Sequence, residues 1–191
     1  MTRIISGFAG SLSLTVPSVG TRPTSDRVRE AIFSSLESHD EIDGARVLDL
    51  YAGSGSLGLE AASRGAASVT LVENGKQAAS ACRKNAALVQ KNAPRGSRLS
   101  IEVAGAPVQP YLAGSAATWD VVFIDPPYDL GDTELAQNLA ALAERLSPDA
   151  VVVIERSSRS PEPAWPAGLE LQKRKNYGDT TLWWAGPPEL S

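Results

Sequence analysis

From residue 46 onward, short branched-apolar runs alternate with helical segments, and this alternation constrains the fold more than any other feature. The runs fall at 46–50, 68–73, 98–103, 119–124 and 149–155, with helices at 56–64, 75–91, 107–113 and 132–146. Parallel strands need a crossover, so the repetition predicts an α/β fold with a mostly parallel sheet covered on both faces. Two further strands are predicted at 168–175 and 179–185. The "NYGD" turn between them is too short for a crossover, which makes that pair antiparallel. Ahead of the alternation, residues 3–16 read as a strand pair around a Gly7–Gly10 turn. Thr24 reads as the cap of a helix with the apolar stripe Val28, Ile32, Phe33 and Leu36. The expected division is an N-terminal hairpin-and-helix appendage, 1–40, on a core, 41–191, the two forming one compact unit.

Composition narrows the function. At 191 residues and 42% hydrophobic, the chain buries a substantial single core. No run approaches a membrane span. Leu12, Leu14 and Val16 alternate with Ser11, Ser13 and Thr15 as in a half-buried strand, unlike the continuous core of a signal peptide. One cysteine excludes an internal disulfide and points to the cytoplasm. With a single His beside it, no metal site is expected. His39, in a polar linker, gives no basis for a Ser-His-Asp enzyme. Cys82, among alanines, reads as a packing residue. Trp183 and Trp184 occupy adjacent strand positions, so one is expected in the core and the other over a helix or partly exposed. The net charge of −4 leaves nucleic-acid binding to local patches. Nothing suggests an obligate interface, and a monomer is expected.

Within the first strand–helix unit, "VLDLYAGSGSLGLE" carries a complete G-x-G-x-x-G at Gly53, Gly55 and Gly58. The spelling fits a dinucleotide cradle, with Glu73 close to the ribose-binding spacing. Asp49 does not fit that reading. It lies near the strand's carboxyl end, where a pyrophosphate would rest, and a carboxylate there repels a dianion. A ligand with positive charge suits it, and S-adenosylmethionine carries a sulfonium and an ammonium.

A second motif bears on the choice. The strand "WDVVFI" ends in Asp125-Pro126-Pro127-Tyr128, and both motifs should face one crevice at the carboxyl ends of the strands. Asp125 is an acceptor, Pro126 offers a carbonyl fixed by two successive proline rings, and Tyr128 supplies a flat face with a polar tip. Two acceptors beside an aromatic surface suit a planar base with an exocyclic amine. Hydrogen bonds to both amine protons favour a more tetrahedral nitrogen and aim its lone pair at a methyl donor. Orientation and electrostatic fit then carry most of the catalysis.

With these motifs the chain resembles the RsmD-type methyltransferases, which modify the N2 amine of one guanine in bacterial small-subunit ribosomal RNA. "RIISGFAG" resembles the family's opening hairpin, "RPTSDRVREAIF" its signature helix, "VLDLYAGSGSLGLEAASRGA" its cofactor loop, and "DPPY" and "YGDT" complete the series. The resemblance implies a Rossmann-like class I S-adenosylmethionine-dependent methyltransferase sheet with an antiparallel C-terminal strand and an N-terminal β-hairpin plus helix. It implies that Asp49, Gly53, Ser54 and Gly55 surround the methionine part of the cofactor and that Glu73 binds the ribose hydroxyls. Arg22, Pro23 and Thr24 would close over cofactor or nucleotide, and Asp125, Pro126 and Tyr128 would act on the base. One position departs. Where such enzymes commonly carry Gly-Asp-Ala, this chain has "AGAPV", with Ala106 in the acid's place, which leaves adenine to backbone groups or Asn74.

A base inside a duplex cannot reach such a pocket, so the target is unpaired or flipped out. Two basic groups could reach phosphates: Arg22, Arg27 and Arg29, then Lys173, Arg174 and Lys175 just before Tyr177. An acidic enzyme with small patches is expected to prefer 16S ribosomal RNA in a partly assembled small subunit. An adenine-N6 DNA methyltransferase would use the same tetrapeptide. A protein-glutamine methyltransferase favours Asn at position 125, and a non-catalytic assembly factor would not need the tetrapeptide. A dehydrogenase explains neither Asp49 nor the tetrapeptide.

Overall fold

The computed structural model describes residues 2–18 and 24–191. Two-residue strands β1 (Thr2–Arg3) and β2 (Ser13–Leu14) precede helix α1 (Asp26–Ser38). The alternating region follows as β3 (Arg46–Leu50), α2 (Ser56–Ser63), β4 (Ser68–Val72), α3 (Lys76–Lys91) and β5 (Ser100–Ala104). It continues with α4 (Val108–Gly114), β6 (Trp119–Ile124), α5 (Asp132–Ala143) and β7 (Leu146–Ser157), and ends with β8 (Glu170–Tyr177) and β9 (Thr180–Gly186). The sheet order is β5-β4-β3-β6-β7-β9-β8, with β5 to β7 parallel and β9 antiparallel to both neighbours. This is the Rossmann-like sheet that the alternation predicts, and its strand order reverses between β3 and β6.

Strand periodicity sorts the core into two layers. Val47, Val69, Leu71, Val121, Phe123, Val151 and Val153 pack with residues of α1, α2 and α3. Leu48, Leu50, Val122, Ile124, Val152 and Ile154 pack on the other face with residues of α4 and α5. Gly58 lets α2 lie this close to the sheet, because a Cβ there would meet Leu71 Cδ2 at 2.3 Å and Val69 Cγ1 at 2.9 Å. The two adjacent tryptophans divide between the layers, and both are buried. Each is covered by a cation of the edge strand: Lys173 Nζ lies 4.5 Å from the Trp184 ring and Arg174 Cζ 5.0 Å from the Trp183 ring. Neither tryptophan therefore remains exposed. Among the described residues no helix is long and apolar enough to cross a membrane.

The N-terminal hairpin is shorter than its sequence predicts, for a reason found in α2. The backbone N–H groups of Ile5 and Ser6 donate to the Glu60 carboxylate at 2.7 and 3.1 Å. Those of Phe8 and Ala9 donate to the Ser63 carbonyl and hydroxyl. A segment bonded in this way to a helix cannot also form a strand ladder, so only Thr2–Arg3 and Ser13–Leu14 pair. Further along, Thr15 N–H donates to Asn85 Oδ1, and Asn85 Nδ2 donates to the carbonyls of Thr15 and Ser54. The N-terminal segment is thereby tied to α3 and to the glycine loop. Helix α1 begins one residue later than expected. Ser25, not Thr24, caps it, its hydroxyl accepting from Val28 N–H.

Glu60 is fully buried, with Arg29 Nη1 3.7 Å and Arg64 Nε 3.2 Å from its oxygens. Arg29, also fully buried, donates to the Arg3 carbonyl and to Asp26. A buried carboxylate persists only when paired and hydrogen-bonded, and here the partners come from three segments. Replacing Glu60 by Ala strands two backbone donors and takes from the buried Arg29 and Arg64 guanidinium groups their buried counter-charge. We expect a loss of about 3–5 kcal/mol in urea unfolding, together with faster amide exchange at Ile5 and Ser6.

Candidate active site

Continuing the two-residue alternation past the apolar positions places Glu73, Asp49, Asp125 and Glu155 on the α1–α3 face of β4, β3, β6 and β7. These are four adjacent parallel strands, and all four acids lie at their carboxyl ends. Asp49 pairs across to Leu71 and Phe123, and Ile124 pairs with Ile154, which sets Asp125 beside Glu155. Neighbouring strands run about 4.8 Å apart, so the row is crowded with like charge.

Each acid is met by donors. Asp49, 1% exposed, accepts from Gly58 N–H at 3.0 Å. Burial pushes its carboxyl up to about 7; the Gly58 N–H opposes the rise and the nearby Glu73 adds to it. Glu73 accepts from Gly53 N–H at 2.9 Å and Gly75 N–H at 2.8 Å. Gly53 and Gly55 have φ of 59° and 85°, the left-handed region that glycine favours, so the turn can present its N–H groups there. Ser54 is buried in the same turn, and its carbonyl is held by Asn85. Tyr51 also has positive φ, 60°, and its hydroxyl accepts from Asn138 Nδ2 at 2.6 Å. That bond from α5 anchors the loop from the opposite face.

Asp125 is half-buried. Thr24 Oγ1 lies 2.9 Å from its Oδ2 and 2.8 Å from Glu155 Oε2, bridging the two carboxyls. Burial raises the Asp125 carboxyl well above its ordinary range, Glu155 raises it further, the Thr24 hydroxyl opposes this, and Asp49 adds a smaller push. Pro126 is buried, whereas Tyr128 is 67% exposed at the rim. Leu130 N–H closes a turn onto the Pro127 carbonyl, and Arg156 Nη2 donates to the Leu130 carbonyl at 3.1 Å, with Asp132 at 3.6 Å. The consecutive residues Glu155 and Arg156 thus reach the tetrapeptide from opposite faces of β7. Neither stands out in the sequence by spacing. The available signal was a charged pair directly after "VVVI", at the same strand edge as the other acids.

The basic residues distribute unevenly. Arg22 and Pro23 lie outside the described residues. Arg29 is fully buried in the Glu60 network, so it cannot meet a phosphate; its expected place among the RNA contacts is corrected. Arg27 is exposed, with Cζ 5.9 Å from the Tyr177 ring, and Lys175 Nζ lies 5.4 Å from the same ring. Lys173 shares their face and donates to Ser35 at 3.4 Å, but Arg174 points to the opposite face over Trp183. The run of three cations is therefore two plus one. Because Tyr177 pairs with Thr180 and Thr180 with Ser157, the β8–β9 turn stands at the same sheet end as the acids. Asn74 is exposed just after Glu73, and Ala106 follows β5 with its N–H on the Ala104 carbonyl. Among the described residues no group of three or more His, Cys, Asp and Glu could hold a metal ion.

The family described as conserved hypothetical protein 95 matches residues 2–185. The chain is 36% identical over 177 residues to ribosomal RNA small subunit methyltransferase D of Escherichia coli K12, covering 92% of this chain and 85% of that protein. It is 34% identical to the protein of the same name from Haemophilus influenzae, covering 92% and 89%. Among solved structures it is similar to yhhF of Escherichia coli, with a TM-score of 0.82 at 33% identity over 97% of each chain.

Arg156 holds the loop that follows the tetrapeptide through one part-buried bond to the Leu130 carbonyl. Arg156→Ala should therefore cost about 1–3 kcal/mol and speed amide exchange at Leu130, while exchange at the Gly58 amide stays unchanged. Hydrogen-exchange mass spectrometry on the folded variant reads both.

Proposed function

The chain belongs to the family described as conserved hypothetical protein 95, that of the RsmD-type methyltransferases, and from that premise we propose that it is an S-adenosylmethionine-dependent 16S ribosomal RNA methyltransferase acting on the exocyclic N2 amine of a guanine. The relatives named as ribosomal RNA methyltransferases support the coarser part of this reading. The choice of guanine N2 rests on the resemblance to the RsmD-type family. Action on an exocyclic amine rests on one observation: Asp125 follows β6 beside β3, whose buried Asp49 accepts from Gly58 N–H, and the exposed Tyr128 ring lies three residues further on.

The residues present fit the cofactor. Asp49 has a buried carboxylate that accepts from one N–H and faces the acids Glu73 and Asp125, so a cationic ligand offsets what these contacts leave uncompensated. Gly53, Ser54 and Gly55 give backbone groups to the methionine part. Each Glu73 oxygen accepts one N–H and keeps a second lone pair for a ribose hydroxyl. Adenine, without the usual acid at Ala106, is left to backbone groups or the exposed Asn74. When bound, the cofactor supplies an electrophilic methyl group on a good leaving sulfur.

On the substrate side, Asp125 and the Pro126 carbonyl accept the two amine N–H bonds, and Tyr128 stacks on the base. Thr24 closes on this site through its hydroxyl, and Arg22 is assigned the same role. Arg27, Lys173, Lys175 and Tyr177 form a basic, aromatic rim for phosphate and an unpaired nucleotide, while Arg174 serves the opposite face. With net charge −4, this rim favours a structured ribonucleoprotein, in which shape adds to charge, over naked RNA.

The test is labelled methyl transfer to small subunits lacking the modification, beside naked ribosomal RNA and duplex DNA, with mass mapping of the product nucleoside. N2-methylguanine at one site, reduced at least about 100-fold by Asp125→Ala, is the expected result. Methyladenine in DNA would replace the substrate, and cofactor binding with no transfer would favour an assembly factor. Equal methylation of naked RNA would overturn the preference for the assembling subunit.

Asp49 gives a second expectation. Its carboxyl titrates near 7 without ligand and a cationic ligand favours the ionised form, so binding should release a proton below that pH. Affinity for S-adenosylmethionine should fall as pH drops through the window from about 7 toward 5.5, approaching tenfold per unit. Calorimetry in buffers of different ionisation enthalpy measures the proton released, and Asp49→Asn should lose most of it.

A further inference from the structure

Thr24 brings one hydroxyl within hydrogen-bonding reach of two carboxyls, 2.9 Å from Asp125 Oδ2 and 2.8 Å from Glu155 Oε2. A hydroxyl owns one hydrogen. With both acids ionised it can satisfy only one of them, and the second contact sets two lone pairs against each other. With one added proton both contacts become hydrogen bonds in series: Asp125 Oδ2–H donates to Thr24 Oγ1, and Thr24 Oγ1–H donates to Glu155 Oε2. The arrangement therefore has a place for one more proton than the ionised pair carries. That place adjoins the atom assigned to the substrate amine.

We propose that Asp125, Thr24 and Glu155 form a proton-accepting chain in which Thr24 and Glu155 are positioning residues that set when Asp125 takes a proton from the methylated nitrogen. The inference rests on the amine-methylation reading above. Methyl transfer forms the N–C bond as the C–S bond breaks, leaves the bonding pair on sulfur and leaves a positive charge on nitrogen. One N–H proton must then leave. It passes to Asp125 Oδ2, the Thr24 hydroxyl turns from Asp125 toward Glu155, and solvent later takes the proton. No further reactant is needed. Asp125 thus begins as an orienting acceptor and ends as the base, and the methyl group never competes with a proton for the lone pair.

The groups acting on Asp125 come from three directions. Glu155 of β7 and Asp49 of β3 raise its proton affinity, and the Thr24 hydroxyl, just before α1, lowers it while it donates to Asp125 but favours the proton once it donates to Glu155. Removing the Thr24 hydroxyl takes one hydrogen bond from the ionised pair and two from the protonated chain, so Thr24 and Glu155 both favour the protonated form of Asp125. Glu155→Gln removes a like charge, so the Asp125 titration should move down by about one pH unit. Thr24→Val keeps the shape and removes the hydroxyl that links the protonated chain, so the titration should again move down, by a similar or smaller amount, and Thr24→Ser should restore it, which a packing effect would not do.

The experiment has two readouts. Carbon-13 titration of the Asp125 carboxyl in the full-length protein without RNA reads these shifts directly. The acid limb of single-turnover methyl transfer to small subunits, read at saturating S-adenosylmethionine, should move in the same order. An upward or absent shift in Thr24→Val, an absent shift in Glu155→Gln, or a Thr24→Ser variant that shifts as Thr24→Val does overturns the chain. Downward shifts of the carboxyl with an unmoved acid limb overturn its part in the reaction. If Thr24→Val does not fold, Glu155→Gln and Thr24→Ser still give a required shift and a required absence of one. Parent protein that makes no N2-methylguanine refutes the functional reading instead, and the titration remains interpretable alone.

Discussion

Four carboxylates in a row along one edge of a parallel sheet repel one another, and the surrounding structure is arranged around that repulsion. Gly58 at the start of α2 turns its N–H to Asp49, the glycine turns give Gly53 and Gly75 N–H groups to Glu73, and Thr24 stands between Asp125 and Glu155. These donors reduce the cost without cancelling the charge. Burial leaves Asp49 and Asp125 with raised proton affinities. A site in that condition favours cationic ligands and accepts protons. The proposed reaction brings a cation at its start and yields a proton at its end.

The N-terminal segment joins this arrangement through ionic and hydrogen-bond contacts more than through a sheet. Glu60 collects two backbone N–H groups and two guanidinium groups at the buried face of α2, and Asn85 links Thr15 to the glycine loop. The segment leading to Thr24 is thus fastened to the same helix that presents Gly58. The N-terminal segment and the buried Asp49 share one support in α2. A group transfer that depends on orientation needs such a support, because small displacements of the reacting atoms are costly.

Much of this is legible in the amino-acid sequence. Each strand and helix of the alternating region shows there as an apolar period between turn residues, since these elements are local and each buries its own apolar stripe or face. Boundaries moved where a distant partner decided them. Helix α5 stops at Ala143 because Trp119 N–H bonds the Arg145 carbonyl and starts β7 early. The hairpin shortened because Glu60 and Ser63, more than fifty residues away, took its N–H groups. Arg29 resembles its exposed neighbour Arg27 in sequence, yet helical spacing turns it inward toward Glu60.

The sequence by itself determined the parallel sheet, the glycine turn, the strand-end acids Asp49, Glu73 and Asp125 and the tetrapeptide, because each follows from local periodicity or from backbone limits on glycine and proline. Tertiary structure alone decided which charges meet. Strand order set Glu155 beside Asp125, the path of the N-terminal segment brought Thr24 between them, and the two-residue period of β8 divided Lys173 and Lys175 from Arg174. Contacts between residues separated by 101 and 131 positions leave no local trace in the chain. They depend on sheet register, which is fixed only when the apolar faces pack.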